Sequence, residues 1–311
     1  MVKNPSVAVI DIGSNSIKVL VASRAADGSV ATLKTRTLDA RISAGISKID
    51  PLLTEEAMVR GLDAIRALLA DAESCSPAQT ILVATSAVRD ARNGSDFRTR
   101  VRAATGHEVR ILAGEEEANL IGRGLTCDPG LAELRDFQVF DLGGGSLECL
   151  AFRDRSVRQA VSLQLGCVRL TEKFVIDPTT SLSAVAAEEI AAHVRAVIAG
   201  SGFTFGRREA IGTGGTVSTA RAIMAAREGK TFDRTDPVVS LQQLRALLSE
   251  VGGLPLAARK NIPGLPAARS DVFPTALATL ITVGELGGFE TYRNSLFNLR
   301  YGLAAEALEK T

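Results

Sequence analysis

The sequence contains no tryptophan and only two histidines, His107 and His193, in 311 residues. A histidine-rich metal centre is therefore excluded. Neither histidine is accompanied by a Gly-x-Ser-x-Gly elbow, which removes the α/β-hydrolase triad as well. The four cysteines, Cys75, Cys127, Cys149 and Cys167, are scattered, with no Cys-x-x-Cys pair and no histidine at metal-ligand spacing. They read as reduced thiols of a cytoplasmic protein, since free cysteine commonly serves as a small buried hydrophobe. No apolar stretch approaches the ~20 residues that span a bilayer, and the N-terminal run ending at Asp11 is too short for a signal sequence. Charge of one sign is missing too: 36 Lys and Arg stand against 35 Asp and Glu. No general basic field draws this chain to nucleic acid or to an anionic membrane. Any anionic ligand must be held by local geometry.

What is present is apolar material for two cores, with 46% hydrophobic residues, 28 Gly and 10 Pro. The short β-branched run Ser6 to Asp11 predicts a buried strand, Ile17 to Ala22 its hairpin partner, and Ala31 to Leu38 a third strand. Leu53 to Ala72 has a helical period with Thr54 as N-cap. Strands follow at Thr80 to Ala84 and Glu108 to Leu112, and helices at Arg98 to Thr105 and Glu115 to Gly124. A second cycle then begins with strands at Asp136 to Asp141, Leu147 to Phe152 and Arg158 to Leu165. Helices are expected around Arg169 to Phe174 and Ala184 to Ile198, and Glu209 to Ile211 is a strand entering a glycine turn. Everything after that turn reads as helical. The Asp128-Pro129-Gly130 stretch marks the boundary between an N-terminal domain, 1–128, and a C-terminal domain, 129–311, whose last helix can pack back on the first.

Each half opens with strand, Asp, Gly/Ser turn, strand: Asp11-Ile12-Gly13-Ser14-Asn15-Ser16 and Asp141-Leu142-Gly143-Gly144-Gly145-Ser146. This is internal duplication at domain scale. A turn of Gly, Ser and Asn offers backbone N–H groups with no Cβ in the way, so it cradles phosphate oxygens without net positive charge. One such turn is an ordinary hairpin; two, each preceded by Asp at a strand end, point to a phosphate clamp in which Asp11 and Asp141 hold Mg²⁺ through its waters. Gly212-Thr213-Gly214-Gly215-Thr216 matches neither a dinucleotide fingerprint nor a P-loop. Gly114-Glu115-Glu116-Glu117-Ala118 places three acids at a helix start, where acids are favoured anyway, or where one of them serves as a general base. Arg89 reads equally as a surface charge or a phosphate clamp.

Taken in order, these runs, together with Ala84-Thr85-Ser86-Ala87-Val88-Arg89, resemble the exopolyphosphatase / guanosine pentaphosphate phosphohydrolase (Ppx/GppA) family of the actin-like ATPase superfamily. Leu165-Gly166-Cys167-Val168-Arg169, Asn261-Ile262-Pro263-Gly264-Leu265, Arg269-Ser270-Asp271 and Leu299-Arg300-Tyr301-Gly302 extend the similarity over essentially the whole chain. The glycine turns recur across the superfamily, whereas the Gly-Glu-Glu-Glu-Ala run is particular to the family. The resemblance implies an α/β fold of two ribonuclease-H-like domains, each a mixed five-stranded sheet flanked by helices, with the active site in the cleft between them. It carries the catalytic glutamate onto Glu117 and the metal carboxylates onto Asp11, Asp141 and Glu148. The phosphate loops become Gly13, Ser14, Asn15, Ser16 and Gly143, Gly144, Gly145, Ser146, with Arg89 beside them. Gly212, Thr213, Gly214, Gly215 and Thr216 become the loop on the nucleotide side. Longer family members continue into further helical domains, so the resemblance implies a short, two-domain form. Tyr301 stands where many members have Glu, and Pro274-Thr275 replaces a frequent Pro-Gly.

The expectation is a Mg²⁺-dependent hydrolase, with Mn²⁺ as an alternative ion, that releases orthophosphate from the end of inorganic polyphosphate. Guanosine pentaphosphate presents the same terminal phosphoanhydride and is the alternative substrate. Two other classes share the fold: a kinase with ATP in the cleft, and a non-catalytic sensor of polyphosphate or alarmone. A homodimer is compatible with helical second domains, and no nucleic-acid or membrane partner is expected.

Overall fold

The computed structural model describes residues 5–46, 50–206 and 209–310. The chain divides into two compact units, Met1–Ala132 with Phe297–Thr311, and Glu133–Leu296. The division therefore falls inside the Asp-Pro-Gly segment's neighbourhood, and the last helix belongs to the first unit.

In the first unit, β1 (Ser6–Ile12), β2 (Ile17–Arg24) and β3 (Val30–Leu38) form an antiparallel meander. Helix α1 (Glu55–Glu73) leads to β4 (Gln79–Ala84), which returns parallel to β1. The short α2 (Ser86–Asp90) and α3 (Gly94–Thr105) precede β5 (Val109–Ile111), and α4 (Gly114–Thr126) follows it. The sheet runs β3-β2-β1-β4-β5, the five strands expected. All seven residues of β1 are buried, which requires cover on both faces. Alternation sends Ala8, Ile10 and Ile12 into a core shared with Met58, Ile65 and Leu68 of α1. Thr54 caps α1 as its sequence predicts, its hydroxyl accepting from the Ala57 N–H at 3.2 Å.

The second unit repeats this plan. The strands β6 (Phe137–Leu142), β7 (Leu147–Arg153) and β8 (Ser156–Leu163) form the meander, then α5 (Cys167–Phe174) and α6 (Ala184–Gly200) lead to β9 (Glu209–Gly214), parallel to β6. Helix α7 (Gly215–Arg227) follows directly. Then come β10 (Val238–Ser240), α8 (Leu241–Gly253), α9 (Leu256–Arg259), α10 (Phe273–Gly287) and β11 (Thr291–Asn294). The sheet order is β10-β11-β9-β6-β7-β8, six strands where the resemblance implied five. Two of them, β10 and β11, lie in the region read as wholly helical. They are three and four residues long, too short to show an alternating pattern. Tyr292 of β11 is fully buried, and its hydroxyl donates to the Leu280 carbonyl at 2.8 Å. Phe140 of β6 packs with Phe203, Phe205, Phe289 and Tyr292 at the centre of this core. Helix α10 is buried on every residue from Phe273 to Gly284, and its Thr279 and Thr282 hydroxyls donate to the carbonyls four residues back.

The final helix, α11 (Leu299–Glu309), returns to the first unit and packs on β1, β2 and α4. It approaches α4 as closely as two backbones allow. A Cβ on Gly302 would lie 2.0 Å from the Leu120 carbonyl oxygen, and one on Gly124 would lie 2.0 Å from that of Asn298. Only glycine fits at either position, and α4 carries Glu117. All four cysteines are free thiols. Among the described residues no helix is long and apolar enough to cross a membrane.

Gly302→Ala should therefore lower the denaturation midpoint by the equivalent of about 1–3 kcal/mol, as overpacking of a close contact does. Gly253→Ala, where a Cβ meets nothing within 4 Å, should be neutral or slightly stabilising in the same urea titration. Equal behaviour of the two variants would contradict the close α4–α11 packing.

Candidate active site

Both Gly/Ser turns have their carbonyls held from behind. In the first turn, the Ser14 oxygen accepts from the Ser43 N–H at 3.2 Å and the Asn15 oxygen from the Arg41 N–H at 2.9 Å. In the second, the Gly143 oxygen accepts from Cys167 N–H at 3.0 Å, and the Gly144 oxygen from Val168 N–H at 2.9 Å. Arg169 adds its Nε to the Gly145 oxygen at 3.0 Å. The Gly166 backbone is pressed against this turn, so that a Cβ there would fall 2.2 Å from the Gly145 carbonyl carbon. With the carbonyls engaged on one side, the N–H groups of Ser14, Asn15 and Ser16, and of Gly144, Gly145 and Ser146, take no protein acceptor among the described residues. Consecutive free N–H groups of this kind form an anion nest.

The carboxylates are arranged by strand register. On β6, Asp141 sits directly across from Glu148 on β7 and Thr213 on β9, and Glu148 sits across from Ser162 on β8. Asp141 and Glu148 are both buried, and Ser162 Oγ donates to Glu148 Oε1 at 2.7 Å. The Thr213 hydroxyl in the same row is buried without a partner. Two neighbouring carboxylates and an unpaired hydroxyl are hard oxygen donors, which suit Mg²⁺ or Mn²⁺ completed by water rather than zinc. Among the described residues no group of three or more His, Cys, Asp or Glu is placed to hold a metal ion. A cation here would rest on these two acids, with water and ligand oxygens supplying the remainder.

The matching position in the first unit differs in sign. Asp11 sits across from Lys18 on β2 and Val83 on β4. Burial raises the Asp11 pKa, while the nearby positive charges of Lys18 and Arg300 pull it back down. A carboxylate already facing an ammonium has less to offer a metal, so the two aspartates are not equivalent.

The three acids at the start of α4 separate by burial. Glu115 is exposed. Glu116 accepts from the Ala113 N–H at 3.3 Å and pairs with Arg110, so it is occupied in capping the helix. Glu117 alone is buried, at 6% exposure. Its Oε2 receives Arg89 Nη1 at 2.8 Å, and the same guanidinium reaches the Leu112 carbonyl and Asp90. Arg89 is thus the buried acid's counter-ion, a placement that the sequence left open between surface and clamp.

Gly212 to Thr216 is a strand end meeting a helix, not a turn. β9 runs through Gly214, which has φ of +82°, and α7 starts at Gly215. A Cβ on Gly214 would stand 2.3 Å from Asp141 Oδ1, and one on Gly215 would stand 2.0 Å from the Arg269 guanidinium. An arginine at a helix N-terminus opposes the helix dipole, and the buried Thr216 hydroxyl beside it has no partner. Arg269 was visible in the sequence only within a matched motif, with no role attached. Lys18 was missed, although its position opposite Asp11 follows once the hairpin register is counted.

A family model described as the Ppx/GppA phosphatase family matches residues 20–311. The chain belongs to that family and is a phosphoanhydride hydrolase. Among solved structures it is similar to an exopolyphosphatase-like protein at 24% identity and TM-score 0.88, with 98% of each chain covered. An exopolyphosphatase from Cytophaga hutchinsonii matches at 22% identity and TM-score 0.86, again with 98% of each chain covered. A Ppx/GppA family member from Aquifex aeolicus matches at 22% identity and TM-score 0.77 over 98% of each chain. These likenesses show the two-domain actin-like fold.

Gly214→Ala should reduce phosphate release by more than about tenfold by displacing Asp141, beyond the roughly 1 kcal/mol that alanine costs at positive φ. Gly202→Ala, with φ of +74° and nothing within 4 Å of its Cβ, carries the same backbone strain away from the carboxylates. It should lose similar stability and keep full turnover. Matching activity losses in the two would show that strain alone, not Asp141, is responsible.

Proposed function

We propose that this enzyme is a magnesium-dependent exopolyphosphatase that releases orthophosphate from the end of inorganic polyphosphate, with Glu117 as the general base. The observation that carries this reading is the sorting of the α4 acids: one of three is buried and charge-paired, and it is the one an attacking water needs. In the first unit the donors at the turn are backbone N–H groups and hydroxyls, with Lys18 opposite Asp11; in the second unit the donors at the turn and at the α7 N-terminus are backbone N–H groups, hydroxyls and Arg269. No aromatic ring stands among those residues. That donor set suits phosphate groups and offers a base little to stack on.

In the reaction, the N–H groups of the Ser14, Asn15 and Ser16 turn hold terminal phosphoryl oxygens and keep the phosphorus in line with a water near Glu117. The water oxygen bonds to the terminal phosphorus, its proton passes to a Glu117 carboxylate oxygen, and the bridging P–O bond breaks. The bridging oxygen leaves with the electron pair as the new end of a chain shorter by one phosphate. Arg89 donates to the Glu117 carboxylate at 2.8 Å and aims it. Asp141 and Glu148 would hold Mg²⁺ or Mn²⁺ through its waters, and the ion would neutralise phosphate charge as it develops. Free thiols at Cys75, Cys127, Cys149 and Cys167 suit a cytoplasmic setting.

The test is phosphate release by purified protein with Mg²⁺, offered short polyphosphate, long polyphosphate, guanosine pentaphosphate and ATP side by side. Preferential release from polyphosphate, abolished by chelator and reduced ~10²–10⁴-fold in Glu117→Gln, is the expected result. Release chiefly from guanosine pentaphosphate would replace the substrate and leave the mechanism standing. Wild-type turnover by Glu117→Gln would remove the base assignment.

A further inference from the structure

We propose that Arg41 is a positioning residue that fixes the side-chain amide of Asn15 so that its NH₂ group meets an anionic oxygen of the substrate; the proposal rests on the phosphoanhydride reading above. Arg41 lies just beyond β3 with φ of +40°, a left-handed backbone that a residue with a Cβ adopts only against steric resistance. In that conformation it makes two bonds to one partner. Its backbone N–H donates to the Asn15 carbonyl at 2.9 Å, and its Nε donates to Asn15 Oδ1 at 3.1 Å.

The second bond decides which way the amide points. A guanidinium has donors and no acceptor, so the atom it faces must be the amide oxygen. Turning the amide by half a rotation would set Nδ2 against Nε, donor against donor. Asn15 Nδ2 is therefore committed to the other side, and there it is buried with no protein acceptor. Asn15 as a whole is 4% exposed. A buried amide donor without an acceptor is unfavourable, and it becomes favourable when an anionic oxygen takes the bond. The turn that carries Asn15 is one of the two whose N–H groups take no protein acceptor among the described residues.

The second unit supplies an independent parallel. There Arg169 Nε donates to the Gly145 carbonyl, at the position in the second turn that corresponds to Asn15. That acceptor is backbone and cannot rotate. In the first unit the acceptor is a side chain with two faces of opposite character. Arg41 thus does more than brace the turn: without it, the amide is free to present its oxygen to the phosphate and repel it.

The test is a binding cycle in the Glu117→Gln background, with the dissociation constant for inorganic tripolyphosphate read by calorimetry. Arg41→Met and Asn15→Ala should each weaken binding by about tenfold, and the pair together by no more than that, because one interaction is lost in all three. Arg41→Lys keeps a donor for Oδ1 and should stay within about threefold of the parent. Asn15→Asp keeps the acceptor for Arg41 and replaces the NH₂ by an oxygen, so it should fold as the parent does and bind more weakly than Asn15→Ala. Additive losses in the pair, parent-like binding by Arg41→Met, or parent-like binding by Asn15→Asp would each overturn the proposal. Should Arg41→Met lose cooperative thermal unfolding, Arg41→Lys and Asn15→Asp decide alone. Failure of the parent itself to bind tripolyphosphate would instead bring down the exopolyphosphatase reading, and this proposal with it.

Discussion

The chemistry of this chain depends on a backbone constraint: the carbonyls of two glycine- and serine-rich turns are bonded from behind, so their N–H groups are left for something else. A peptide unit directs its donor and acceptor to opposite sides. Engaging Ser14 and Asn15 with residues 41–43, and Gly143 and Gly144 with the first turn of α5, orients both turns through backbone bonds, to which Arg41 and Arg169 add their Nε donors. This explains how a chain with a formal charge of +1 becomes a phosphoanhydride hydrolase. Its positive potential is built from dipoles at two places rather than from an excess of basic residues. The glycine at 166 serves the same end, because its missing Cβ lets the brace approach the turn.

The duplicated plan makes the differences between the halves informative. Counting from the turn, the residue opposite the aspartate is Lys18 in one half and Glu148 in the other. The strand geometry is the same and the charge is reversed. Next to Asp11 the cation is covalently part of the protein, and burial and Lys18 act on the carboxyl in opposite directions. Next to Asp141 a second acid stands instead, and Ser162 donates to it. One fold thus pairs the aspartate with a base in one unit and with another acid in the other.

Most of the fold was legible in the sequence because its signals are local. The β-branched run of β1, the Thr54 cap and the paired Asp-Gly-Ser turns each announce an element within a few residues. The strands β10 and β11 were not legible, since three or four residues carry no period and their burial is decided by neighbours far along the chain. The site followed the same division. The turns and the acid run were visible, and the resemblance picked Glu117 from three acids. Which of the three is buried depends on Arg89, Arg110 and the packing of α4 on α11, none of which spacing can reveal. Arg41 is invisible for another reason: its partner is chosen by a left-handed backbone that no composition signals.

The pairing of Arg89 with Glu117 shows why a buried carboxylate needs a partner. An isolated ionised carboxylate taken out of water would gain a proton and cease to be a base. A guanidinium at 2.8 Å supplies the opposite charge that burial demands, and the same side chain also reaches Asp90 and the Leu112 carbonyl. The two side chains come from α2 and α4, separate segments of one unit, so the ion pair ties the start of α4 to the segment that follows β4.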